Sequence, residues 1–159
     1  MADEVLQLAY DEARAALREQ DTTLSNVRNR ATGLLAAAVV GTSFSATAGL
    51  LNINPGRGRT FPEWAAWALL IVIILIAVGV MAVLWPIRAW TFGPSPSALV
   101  ARAADGVDVV LRAAIEGMAA AIASNNRLLE QRVAVYRATV LVLMLEIGLL
   151  VVALLFAGE

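Results

Sequence analysis

The sequence predicts an all-α fold, an integral membrane helical bundle with three transmembrane helices and two amphipathic cytoplasmic helices. Three observations predict it. Between Glu63 and Arg88 the chain runs twenty-four residues without a charge, and at ~1.5 Å rise per residue about twenty of these match a hydrocarbon layer of about 30 Å. Tryptophans bracket that run, Trp64 and Trp67 at one end and Trp85 and Trp90 at the other, where aromatic belts form at membrane interfaces. Two further apolar stretches, residues 31–51 and 133–157, each continue from a segment whose apolar residues recur at helical spacing.

Composition narrows the chemistry. Hydrophobic residues make up 60% of the 159 residues, against roughly 45–50% in globular proteins, and this length allows one compact unit. Cysteine and histidine are absent, which removes disulfides, Cys/His metal sites and His-assisted nucleophiles. All twelve basic residues are arginine, so no lysine serves a Schiff base or a P-loop. No catalytic residue, metal ligand or cofactor is therefore expected, and the chain does not read as an enzyme. The N-terminus (MADEVLQLAYDEAR) is acidic and amphipathic, unlike a secretory signal.

Residues 1–30 form the first cytoplasmic helix. Leu6, Tyr10, Ala13, Leu17, Gln20, Leu24 and Val27 alternate spacings of four and three, a heptad seam with charged residues on the opposite face. The seam packs either on the second cytoplasmic helix of the same chain or on another copy, and Gln20 is the polar position that would set its register.

Residues 31–51 are the first span. Gly33, Ala37, Gly41, Ser45 and Gly49 fall four residues apart, and such small-residue ladders let helix backbones approach closely in lipid. Hydroxyls at Thr32, Thr42, Ser43 and Thr47 accompany the ladder. The packing face lies within one subunit or between subunits; the sequence leaves both open. Residues 52–62 (NINPGRGRTFP) are a Gly/Pro/Asn turn on the extracytoplasmic side. The second span, residues 63–87, closes at Trp85-Pro86 because proline ends a helix.

Residues 88–132 begin as a proline-punctuated interfacial connector and continue as the second cytoplasmic helix. Ala104, Leu111, Ile115, Met118, Ile122, Asn125, Leu129 and Tyr136 mark its apolar stripe, interrupted near Asp108. Asn125 is either a register-fixing polar position or an ordinary buried amide. The third span, residues 133–157, continues this helix, and Arg132 and Arg137 stand where long stems snorkel toward headgroups.

Ten arginines precede the first span or lie between the second span and the edge of the third, against only Arg57 and Arg59 in the intervening turn. The positive-inside rule then predicts a multi-pass membrane protein, N-terminus cytoplasmic and C-terminus extracytoplasmic. The arginines are interleaved with carboxylates, so nucleic acid is not an expected partner, although anionic lipid headgroups would attract them.

Glu146 is the single charge inside a span. A carboxylate there costs a few kcal/mol and must face protein or water. It is a protonated group bonded to Ser43, Thr42 or Thr47, or a lining group of a conduit shared by subunits, or a proton relay.

The junctions LSNVRNRATGLLAAAVV (residues 24–40) and NNRLLEQRVAVYRATVLVL (residues 125–143) each pass from amphipathic helix straight into a span. In this pattern the chain resembles the small membrane effectors of bacterial antiphage signalling, the Pycsar and related two-transmembrane conflict-system effectors. The resemblance implies oligomerisation in the inner membrane and loss of membrane integrity when triggered, usually by a nucleotide signal. A separate sensory domain is not found here, which leaves the two cytoplasmic helices, or a partner protein, to receive the trigger. The expected function is a homo-oligomer that forms or gates a pore in the lipid bilayer. The alternative is a membrane-anchored helical scaffold that docks a soluble protein through its cytoplasmic helices.

Overall fold

Long unbroken helices dominate the protein. The computed structural model describes residues 2–45, 53–54, 58–59 and 63–156. Helix α1 runs Ala2–Ser45, α2 Glu63–Leu84, α3 Pro96–Ala101 and α4 Val107–Phe156, with one 3-10 turn at Ala103–Asp105. Strands β1 (Ile53–Asn54) and β2 (Gly58–Arg59) pair antiparallel, Ile53 opposite Arg59 and Asn54 opposite Gly58.

Local chemistry sets these boundaries. No proline falls within α1, α2 or α4, so each backbone ladder continues without a break. Asp3 and Glu4 in the first turn of α1 and Asp108 in that of α4 complement the positive end of the helix dipole. Ser95 caps α3, its hydroxyl accepting from Ala98 N at 3.2 Å, with Pro96 in the first turn. Gly106 turns the chain into α4 at φ +89°, a conformation that favours glycine. That turn breaks the second cytoplasmic segment just before Asp108 and leaves Ala104 exposed, outside the buried stripe.

Two helices among the described residues, not three, are long and apolar enough to cross a membrane, and they are α2 and α4; of the expected first span, residues 31–51, only 31–45 are described. The expected first span is the C-terminal part of α1, where Arg28 and Arg30 lead into a stretch diluted by Thr32, Gly33, Gly41, Thr42 and Ser43. Its small and hydroxylated residues lower its hydropathy below that of a Leu/Ile/Val helix. Residues 46–52, with Thr47 and Gly49 of the predicted site, lie outside the described residues.

Packing divides the chain into two units, Met1–Asn26 with Pro86–Gln131, and Val27–Trp85 with Arg132–Glu159. In the first unit, Gln20 and Leu24 of α1 and Ala114, Met118, Ala121 and Asn125 of α4 are buried. In the second, buried residues fall on one stripe per helix. Helix α1 contributes Val27, Ala31 and Ala38, and α2 contributes Ala65, Leu69, Val72, Ile76, Val80 and Val83. The α4 stripe is Thr139, Leu143, Glu146, Leu150 and Ala153. Ala38, Val72, Ile76, Val80 and Leu143 join as one apolar cluster, and Ala65, Leu69, Leu150 and Ala153 as another.

Candidate functional site

Glu146 occupies the centre of the second unit's polar chemistry. It lies between Leu143 and Leu150 on the inward stripe of α4 and is 0% exposed. Opposite it α1 presents Gly41, and a methyl group built there would stand 3.6 Å from Glu146 Oε1 and 4.0 Å from Oε2. The carboxyl group packs against this glycine at a distance where a methyl group would make ordinary van der Waals contact. Thr42 also neighbours the carboxyl, but its hydroxyl proton is donated to Ala38 O at 2.8 Å. Neither oxygen of Glu146 has a hydrogen-bond partner among the described residues. With its proton spent on Ala38 O, Thr42 cannot donate to an ionised carboxylate and could serve only as acceptor from a protonated Glu146. A buried polar group left in this state costs stability and calls for an explanation.

The small-residue ladder is split by this packing. Gly41 faces Glu146, whereas Gly33 and Ala37 are exposed, and nothing lies within 4 Å of a methyl group built on Gly33. Ser45 is the last residue of α1. Ser43 is exposed and donates to Val39 O at 2.8 Å. The face of α1 that is buried in the chain therefore runs Ala31, Leu34, Ala38, Gly41, about a quarter turn away from the ladder's first members.

In the first unit the seam residues meet within the chain. Gln20 Nε2 donates to Ile122 O at 3.0 Å and to Asn126 Oδ1 at 2.6 Å. Leu17, Leu111, Ile115 and Ile122 are half-buried, and Leu24 and Met118 are buried. Asn125 is 1% exposed and acts as a peptide mimic toward the connector. Its Nδ2 donates to Thr91 O at 2.8 Å, while Oδ1 accepts from Thr91 N at 3.2 Å and from Thr91 Oγ1 at 3.3 Å. Gly93, at φ +101°, brings the connector against Leu17 and Met118.

Two features escaped sequence reasoning. A methyl group on Gly79 of α2 would collide with Thr139 Oγ1 and stand 3.0 Å from its Cγ2, so α2 and α4 meet at backbone distance there. A lone glycine in a Leu/Ile/Val run was the available signal. Arg132 donates to Ala82 O and Val83 O, capping the last carbonyls of α2, whose own last turn holds no basic residue. Only three-dimensional proximity reveals that cap.

Among the described residues no group of three or more potential ligands could hold a metal ion. No protein-family model, curated protein or solved structure matches the chain.

Proposed function

We propose that this chain is a multi-pass protein of a bacterial inner membrane that self-associates and forms or gates an ion path, with Glu146 as the group on which that path turns. The observation that carries the reading is the buried carboxyl of Glu146, which faces Gly41 and has no hydrogen-bond partner among the described residues. A chain without catalytic equipment has little reason to bear the cost of such a group unless its charge is used. A movement of α1 away from α4 would open Glu146 to water and ions, and the described arrangement is then the closed state.

Lipid as the surrounding solvent is supported by what the second unit exposes. Leu35, Val39 and Phe44 on α1, Ile71, Ile74 and Leu75 on α2, and Leu141, Met144 and Leu145 on α4 are all exposed. Contiguous apolar surface on this scale is untenable in water. The resemblance to antiphage effectors extends the proposal to a membrane-disrupting role under a cytoplasmic protein or nucleotide trigger.

Expression in cells is expected to depolarise the membrane. Glu146→Gln and Gly41→Leu should each blunt that effect at equal protein levels. An unchanged membrane potential under strong expression, with the assembled protein intact, overturns the proposal.

A second reading has its own observation. Val5, Leu8, Val100, Val107 and Val109 of the first unit are exposed large apolar side chains, suited to docking a soluble protein. A scaffold would retain a stoichiometric partner after detergent extraction and leave the membrane tight.

A further inference from the structure

The first unit contains two adjoining cavities of contrasting chemistry. One, of about 360 Å³, is lined by Tyr10, Arg14, Arg18, Asp21, Trp90 and Phe92 among others. The other, of about 390 Å³, is almost wholly apolar, with Val100, Val107, Val110 and Leu111 in its wall. Tyr10 and Leu99 line both, so the two cavities share a wall. Each is of a size that holds a ligand or a substantial part of one.

We propose that this paired cavity binds an anionic phospholipid, its phosphodiester at Arg14 and Arg18 and an acyl chain in the apolar half. Arg14 and Arg18 stand four residues apart on α1, a like-charge pair that mildly destabilises the helix. Among the described residues neither guanidinium has an ion pair or hydrogen bond, so both are available to a phosphate, which arginine binds through its planar fork of donors. Asp21 is the one acid in the lining. It leaves the site a small positive charge, suited to a singly charged phosphodiester and unfavourable to a polyphosphate.

The wall is built rather than incidental. Trp90 and Phe92 flank Thr91, which Asn125 holds through both its backbone groups, and Gly93 turns the following chain onto Leu17 and Met118. The connector is also the first stretch of chain after α2, which keeps it within reach of the headgroups that end a span. The inference rests on the membrane placement in the proposed function and not on the pore.

The test is lipid retention by the full-length protein in detergent, read by native mass spectrometry. Phosphatidylglycerol and phosphatidylcholine are added in equal amounts. The natural chain is expected to retain phosphatidylglycerol at least tenfold over phosphatidylcholine, each arginine contributing about fivefold. The doubly substituted Arg14→Gln/Arg18→Gln protein should lose that preference with its helicity unchanged, since both side chains are exposed. Val110→Trp, which fills the apolar half, should reduce retention of both lipids. Equal retention of the two lipids by the natural chain, or an unaltered preference in the double variant, overturns the proposal. So does adenosine monophosphate binding to delipidated protein that disappears in the double variant, because that assigns the arginines to a soluble phosphate. Ion flux is not read, so failure here leaves the pore reading standing, and loss of flux leaves this one standing.

Discussion

The two units treat their buried polar side chains differently, although among the described residues Gln20 Oε1 in the first is left without a partner as both Glu146 oxygens are in the second. In the first, Gln20 and Asn125 spend their amide protons on backbone and side-chain acceptors, and Asn125 closes a full peptide-like pair with Thr91. Those amides hold the fold together. In the second, contact is made by small residues, with Gly79 against Thr139 and Gly41 against Glu146, while the carboxyl group bonds to nothing described. Cohesion there comes from close approach, and the acid is left over. The difference separates polar groups that support the architecture from one that the architecture merely tolerates, and tolerance of a cost is where function is sought.

The comparison breaks most visibly at Gly79. Gly79→Leu places branched carbons where Thr139 already stands, and overpacking of this kind costs about 3 kcal/mol. The variant is expected to lose its thermal transition in detergent or to show it much lowered. Thr139→Ala in the same chain should recover part of the loss, because it removes the atoms nearest the collision. A Gly79→Leu protein as stable as its parent would mean that α2 and α4 are not held by backbone approach.

Asn125→Leu probes the other mode. It leaves the N–H and carbonyl of Thr91 without their partner, at a cost of roughly 2 kcal/mol, and frees the connector. Lowered stability with faster proteolysis near Thr91 is the expected outcome. Glu146→Met should act with the opposite sign. It replaces an unpartnered buried acid by an apolar side chain of similar length, which is expected to raise stability by about 1 kcal/mol while lowering any ion flux. Should Glu146→Met destabilise the protein as much as Asn125→Leu does, the acid has a structural bond and the contrast between the units fails.

Periodicity made much of this legible. The four-three spacing of Leu17, Gln20 and Leu24 specifies a face, and that face is the one turned inward on α1. The charge-free run after Glu63 gives α2 its length and its apolar character. Glu146 stood out as a lone charge among aliphatic residues. What stayed hidden depends on distances between helices. Spacing says that Gly33 and Gly41 share a ladder, but helix packing turns only Gly41 toward Glu146. Nor does spacing reveal that Arg132 caps α2, since donor and acceptors lie far apart in the chain. The expected first span is uncharged but built of small residues, so its apolar character is weaker than that of α2, and only residues 31–45 of it are described.

The smallest effect within one chain is expected at Gly33, which makes it the sharpest probe between chains. A methyl group there meets nothing within 4 Å, and glycine is a poor helix residue. Gly33→Leu should therefore leave the stability of the single chain within about 0.5 kcal/mol. Gly41→Leu, beside Glu146, should not be so benign. If the ladder also joins copies of the chain, Gly33→Leu lowers the mass of the particle measured in lipid nanodiscs while leaving helicity and single-chain stability unchanged. A particle of unaltered mass would remove the exposed part of the ladder from the assembly and confine its role to the contact at Gly41. The two glycines share a spacing but not an environment, and substituting each in turn separates packing within the subunit from packing between subunits.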